Sequence, residues 1–235
     1  MVKPLSHAPI ALIEGEQGSG KSTLAVARIV DHYFKRAVEL YLEARCIGAE
    51  VLSYNVDSKV ARIKQNGVKR ALFIPEDYKL VSDLKIFTNF HLYGIKYKYC
   101  TMPEILALLQ DGTLSMGRLT VDEAYIASNA QETLSAFTKA VSKFSMTARK
   151  RHLHMDFLYP HSRMATWITR WAWAEHIMCS YDENRRMITL DIQRKGYPRP
   201  KTIRLYAPPY WRFYDTDELF KLTQDQIGRA VANAQ

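Results

Sequence analysis

The sequence predicts an α/β fold, a mostly parallel sheet with helices on both faces. Three observations carry this. A short apolar run, Ile10-Ala11-Leu12-Ile13, leads into a glycine-rich stretch and then a long amphipathic segment. Further apolar runs alternate with helical patterns through the middle of the chain, as parallel strands joined by crossover helices require. One of these runs, Leu119-Thr120-Val121, ends in two carboxylates, Asp122 and Glu123.

In chain order, residues 1–9 read as a loose arm and residues 10–13 as a buried strand. The first helix is expected over residues 20–42, with Leu24, Val26, Ile29, Val30, Phe34, Val38 and Tyr41 on its apolar face. Residues 50–54 read as a strand and residues 58–66 as a short helix or turn closed by Asn66-Gly67. Residues 85–92 read as a buried strand, and residues 95–99, which alternate strictly, as an exposed strand or hairpin arm. A short helix over residues 105–110 is opened by Met102-Pro103-Glu104 and stopped by Asp111-Gly112. After Asp122-Glu123 comes the cleanest helical pattern, residues 130–148, closed by Arg149-Lys150-Arg151. Residues 153–159 read as a strand, 164–175 as a tryptophan-rich helix and 176–180 as a strand. Residues 187–194 and 202–206 form a terminal pair around Gly196-Tyr197-Pro198. The whole chain, residues 1–235, is expected to form one domain, with its core over about 10–216 and a helical tail over 217–235.

A net charge of +9 and a pI near 9.4 point to a polyanionic partner, nucleic acid or an anionic membrane surface. Cys46, Cys100 and Cys179 lie far apart without a C-x-x-C pair, which fits reduced thiols in a cytosolic setting. No apolar run is long enough to span a bilayer, and the first nine residues lack the apolar stretch of a signal peptide.

The glycine-rich stretch is Gly15-Glu16-Gln17-Gly18-Ser19-Gly20-Lys21-Ser22, followed by Thr23. It meets every fixed position of the phosphate-loop pattern G-x-x-x-x-G-K-[ST], between a strand and a helix as that pattern demands. Glycines let the backbone turn tightly around an anion, and successive N–H groups with the helix N-terminus supply positive potential. The loop predicts ATP and Mg²⁺ as ligands: Lys21 toward the β- and γ-phosphates, the Ser22 hydroxyl on the metal. Such a loop needs a carboxylate at the end of a neighbouring strand to help hold Mg²⁺, and a group that orients water. Asp122 suits the first role and Glu123 the second; the competing reading is an acidic strand end capping the next helix.

These two motifs, together with Ala148-Arg149-Lys150-Arg151 and the late Phe213-Tyr214-Asp215-Thr216, occur in the order seen in the FtsK–HerA superfamily of ring-forming motor ATPases. More narrowly, the chain resembles the genome-packaging ATPases of tailless icosahedral viruses with an internal membrane. It is also similar to the filamentous-phage assembly ATPases of the zonula-occludens-toxin-like group. The likeness covers residues 10–216 and implies a RecA-like P-loop domain. It also implies a homomeric ring, a hexamer or pentamer, that translocates viral double-stranded DNA into a preformed capsid. The capsid or its portal vertex would be a partner, and the place of action the host cytoplasm or the packaging vertex of the virion. In that family the strand after the basic cluster ends in a polar γ-phosphate sensor, usually Gln. Here the stretch is Tyr159-Pro160-His161-Ser162, so His161 and Ser162 are the candidate stand-ins. The resemblance also implies an arginine acting on the neighbouring subunit's site, with Arg149, Arg151 and Arg170 as candidates. Charge that merely favours a helix C-terminus is the other reading of the basic cluster.

For DNA contact, Lys59, Arg62, Lys64, Lys69 and Arg70 form one basic stretch, and Lys96 and Lys98 alternate with Tyr97 and Tyr99 in another. For the second, a lysine-protected edge strand is the favoured reading. His152, His154 and His161 lack the partners of a zinc site. Trp167, Trp171 and Trp173 read as core or subunit contacts rather than base-stacking platforms. Three rival functions remain. An assembly or secretion ATPase usually carries a membrane span, which this sequence lacks. A small-molecule kinase should show a lid with paired arginines, which is not evident. The third is a nucleotide-dependent binding switch.

Overall fold

The computed structural model describes residues 9–111, 114–122, 148, 150–161 and 173–215. Its centre is an eight-stranded sheet. In chain order the strands are β1 (Ile10–Glu14), β5 (Lys85–Thr88), β6 (Lys98–Tyr99), β7 (Gly117–Val121), β8 (Leu153–Tyr159), β9 (Glu175–Asp182), β10 (Met187–Arg194) and β11 (Lys201–Tyr206). Their spatial order is β11-β10-β9-β1-β8-β7-β5-β6. The pairs from β9 through β1, β8, β7 and β5 to β6 are parallel, and β10 closes the sheet antiparallel to both β9 and β11. This is the expected mostly parallel α/β architecture.

Alternation along β1 sorts the core onto two faces. Ile10 and Leu12 join a cluster with Ile105 and Leu109 of helix α2 (Met102–Asp111). Ala11 and Ile13 face Leu24, Ala25 and Ala27 of helix α1 (Lys21–Glu43). Helix α1 is also held to the sheet by buried charge. Arg28 donates through Nε to Asp156 (3.2 Å) and through Nη1 to Glu175 (3.5 Å). Arg118 of β7 donates to the other oxygen of Asp156, and Arg194 to Glu175 at 2.7 Å. Arg28, Arg118, Asp156 and Glu175 are all essentially inaccessible to water. Burial pulls the Arg118 guanidinium down to about 10 despite the opposing pull of Asp156. Removing one partner of such a pair strands a charge in the core, so α1, and the loop that starts it, is fixed relative to β7, β8 and β9.

Between α1 and β5 the chain makes a separate antiparallel sheet: β2 (Glu50–Asn55), β3 (Val60–Gln65) and β4 (Val68–Phe73). It rests on the second half of α1 through Val38, Tyr41 and Leu42 against Val51, Ala61 and Ile63. This corrects the helix or turn expected over residues 58–66. Asn66 and Gly67 both take positive φ, 50° and 80°, which makes a two-residue hairpin turn and returns β4 along β3.

Other expectations shift at their ends. The strand expected over residues 85–92 stops at Thr88, and of residues 95–99 just Lys98–Tyr99 pairs, parallel to β5, so it is no hairpin arm. Glu175, expected at the end of a helix, begins β9, where its carboxylate meets Arg28 and Arg194. The strand that ends in Asp122 is not next to the loop's strand, because β8 lies between β1 and β7. β8 is buried on both faces, as a strand flanked on each side requires. The helix expected over 130–148 (apart from Ala148), most of that expected over 164–175, Trp167, Trp171 and the tail 217–235 lie outside the described residues. Trp173 packs against the core cluster of β1 and α2 and meets the His176 ring, as a core residue should.

Candidate nucleotide site

The loop between β1 and α1 is shaped by two glycines with no room for a side chain. A Cβ on Gly15 would lie 2.3 Å from Ser19 Oγ and 2.8 Å from the Cys179 backbone oxygen. A Cβ on Gly20 would lie 2.7 Å from Ile188 Cδ1, and φ there is +87°. Gly20 is the residue before the first turn of α1, so the helix opens directly toward the loop. Lys21 folds across the loop, and its ammonium donates to the carbonyls of Gly15 (2.6 Å) and Glu16 (2.8 Å).

Ser22 Oγ donates to Asp122 Oδ2 at 2.9 Å. The two expected metal-holding residues are therefore brought together over the end of β8. Asn89, just beyond β5, clamps the Asp122 backbone on both sides. Its Nδ2 donates to Asp122 O, and its Oδ1 accepts from Asp122 N, each at 2.8 Å. Sequence reading missed Asn89; its signal was an amide, rare in strands, closing the apolar run Lys85-Ile86-Phe87-Thr88. Thr23 Oγ1 shares a 2.5 Å hydrogen bond with the hydroxyl of Tyr214, so the late aromatic motif touches the phosphate loop. Burial raises the Tyr214 hydroxyl, keeping it protonated and able to donate.

The residues present fit a magnesium-bound nucleoside triphosphate. Ser19 Oγ, on the loop, is buried without a hydrogen-bond partner among the described residues. The glycine cradle, an ammonium, the helix N-terminus and the hydroxyl–carboxylate pair are the donor set that phosphate and a hard cation require. A cavity of about 730 Å³ opens beside the loop, large enough for a nucleotide.

His161, which follows β8 and so lies between the ends of β1 and β7, is exposed, with Nδ1 3.4 Å from Glu14 Oε1. The other oxygen of Glu14 lies 2.7 Å from His176 Nε2. Glu14, the last residue of β1, was another residue that sequence reading passed over. Arg151 stands just ahead of β8, at the opposite end of that strand from the loop; seven residues separate them, or about 20 Å. Glu123, Arg149, Ser162, Arg170 and Thr216 lie outside the described residues. No cluster of three or more His, Cys, Asp or Glu placed to hold a metal ion occurs among the described residues, and His154 meets His32 edge to face at 4.8 Å.

Of the first basic stretch, Arg62, Lys64 and Lys69 share one side of the hairpin, Arg70 lies opposite Ile63 on the other, and Lys59 precedes β3. Arg62 and Lys64 of β3 are exposed while Ala61 and Ile63 are buried, and Lys64 lies directly opposite Lys69 of β4. In the second stretch the tyrosines are engaged: Tyr97 bonds His91 at 2.8 Å and Tyr99 stacks on the same ring at 4.7 Å. Among the described residues no helix is long and apolar enough to cross a membrane.

Comparison with solved structures agrees with the fold. The N-terminal domain of zonular occludens toxin from Neisseria meningitidis matches with a TM-score of 0.51 at 15% identity. The match spans 89% of this chain and 100% of that one. The DNA-packaging ATPase B204 of Sulfolobus turreted icosahedral virus matches at 0.42 and 13% identity, over 84% of this chain and 98% of that one. A KaiC-like protein from Pyrococcus horikoshii matches at 0.45 and 11% identity, over 84% of each chain. No protein-family model matches, and no curated sequence is significantly similar. The likeness to the toxin domain, with a TM-score above 0.5, speaks for the α/β fold, and at 15% identity it does not speak for an activity.

Proposed function

We propose that this chain is a magnesium-dependent ATPase that works on double-stranded DNA as a homomeric ring and packages a viral genome into a preformed capsid. The observation that carries the ATPase reading is the Ser22–Asp122 hydrogen bond beside the phosphate loop. It gathers a hydroxyl and a carboxylate, the oxygen donors that would hold Mg²⁺. Bound Mg²⁺ would neutralise charge developing on the phosphates. Lys21 and the loop N–H groups hold and orient the triphosphate, with Ser22 and Asp122 on the metal. Glu123, next in sequence, is the group to take a proton from the attacking water. His161 is the candidate γ-phosphate sensor. Arg151 stands too far from its own loop to serve it, which supports a role on a neighbour's site; Arg149 and Arg170 are the other candidates for that role. The DNA and packaging parts of the proposal rest on the basic charge, the exposed basic hairpin and the family resemblance. The same resemblance supports action in the host cytoplasm or at the packaging vertex.

The second reading is an assembly or secretion ATPase of the zonula-occludens-toxin-like group. It is supported by the resemblance of the sequence motifs to that group, and the fold shared with that toxin's N-terminal domain is compatible with it. Phosphate release measured with and without duplex DNA separates the readings. Stimulation by duplex supports the DNA motor. Slow turnover indifferent to DNA supports the assembly ATPase or a binding switch, and phosphorylation of a small acceptor supports a kinase.

A further inference from the structure

We infer that the aromatic wall beside the phosphate loop is a purine subsite that grips the base by its faces, so that the site takes adenine and guanine nucleotides alike. This rests on the nucleotide reading above and deepens it. The cavity has two unlike halves. One is the phosphate loop; the other is built from Tyr93, Tyr181, Trp211 and Tyr214. A triphosphate seated on the loop leaves its base to lie over the second half.

Tyr214 and Tyr181 form the packed base of the wall, while Tyr93 and Trp211 are anchored but not covered. Tyr214 is pinned to Thr23. The Tyr93 backbone N–H donates to Phe213 O at 2.8 Å, which ties its loop to the segment carrying Trp211. The Arg186 guanidinium lies 6.0 Å from the Trp211 ring. Yet Trp211 and Tyr93 remain 39% and 49% exposed. Large rings held at the mouth of a cavity are what a flat heteroaromatic ligand stacks on.

The polar groups around the cavity are already committed. Ser22 donates to Asp122, Thr23 bonds Tyr214, and Arg212 pairs with Asp57 at 2.7 Å. Asp215 is engaged as well. The phenols of the wall both donate and accept, which suits either purine edge. Selection then follows ring area, which favours purines over pyrimidines.

The experiment is titration calorimetry of the full chain with magnesium and four probes: non-hydrolysable analogues of ATP, GTP and UTP, and tripolyphosphate. The two purine analogues are expected within about fivefold of one another and the UTP analogue about tenfold weaker. Trp211→Ala should weaken both purine analogues about tenfold and leave tripolyphosphate unchanged, while Trp211→Phe should keep most of the purine affinity. Unchanged purine binding in Trp211→Ala overturns the subsite, as does an equal loss for tripolyphosphate. An ATP analogue bound about a hundredfold tighter than the GTP analogue overturns selection by faces. Lys21→Ala tests the underlying reading separately. If it binds tripolyphosphate as the wild type does, the loop is not a phosphate site, whatever Trp211 does.

Discussion

Ser22 and Asp122, a hundred residues apart in sequence, share a 2.9 Å hydrogen bond across the end of β8. In this pair the hydroxyl donates and the carboxylate accepts. A cation would take an oxygen from each. Asp122→Asn keeps the shape and an acceptor but removes the charge. Nucleotide binding should survive while magnesium-dependent phosphate release falls about a hundredfold or more. Calorimetry and a phosphate-release assay on the same sample check this; release at the wild-type rate would take Asp122 out of the metal site.

Asn89 acts on that carboxylate from behind. Its amide satisfies both the N–H and the C=O of Asp122. Asn89→Ala leaves two backbone groups without those partners and should cost about 1–3 kcal/mol in denaturant unfolding. A positioning role predicts more than lost stability. The concentration of Mg²⁺ needed for half-maximal phosphate release should rise while tripolyphosphate binding without metal stays constant.

Gly20 is needed twice over, by its φ of +87° and by its contact with Ile188. Gly20→Ala should lower stability by about 1–2 kcal/mol from backbone strain alone and weaken nucleotide binding as well. Adding Ile188→Val removes Cδ1 but keeps Cγ1, 2.8 Å from the new Cβ, so it should recover part of the packing loss and none of the strain. Recovery of full stability in the double variant would show that φ is not the constraint.

How far the sequence spoke for the structure depended on whether each signal was local. The phosphate loop, β8 and β10 were legible because a strand's alternation and a glycine turn are short-range facts. The hairpin at residues 60–73 was misjudged although Asn66-Gly67 is among the strongest turn signals, because the lysines and arginines on one side masked the alternation. The place of β8 between β1 and β7 and the Asn89 clamp were illegible because strand order and cross-sheet hydrogen bonds are set by packing between distant segments. The same holds for the buried charges. Arg28, Arg118 and Asp156 sit at positions where a sequence reader expects solvent, and both arginines are buried because Asp156 is there to accept from them.

The basic hairpin carries a strain of its own. Lys64 lies opposite Lys69, and like charges so placed destabilise a sheet. A surface that keeps such a pair suits a polyanion. Replacing both with Gln should leave the unfolding midpoint unchanged or slightly raised. If the hairpin grips DNA, the slope of log binding constant against log salt should flatten by about 1 for each lysine removed. An unaltered slope would move the DNA surface elsewhere.

Asp31 of α1 gives stability a pH dependence of unusual sign. Burial raises its carboxyl to about 6, against the pull of Lys35 on its own helix, Arg118 on β7 and Arg28 one turn earlier. Tyr210, whose hydroxyl is itself pushed up to about 12, feels the same carboxylate. A carboxyl whose folded-state pKa is raised binds its proton more tightly in the folded chain. Between about pH 4 and pH 6 the folded state therefore holds more protons than the unfolded one, and stability falls as pH rises through that window. This is opposite to a carboxylate held low by a partner, such as Asp83, which the Arg36 guanidinium keeps below its usual range. Asp31→Asn cannot ionise, so it lacks the fall. Relative to the wild type it should gain about 2 kcal/mol between pH 4 and pH 7, on top of any constant offset from the lost carboxylate contacts. Denaturant unfolding of both proteins at pH 4, 5, 6 and 7 measures the difference directly, and a difference that stays flat with pH would mean that Asp31 titrates at its ordinary value.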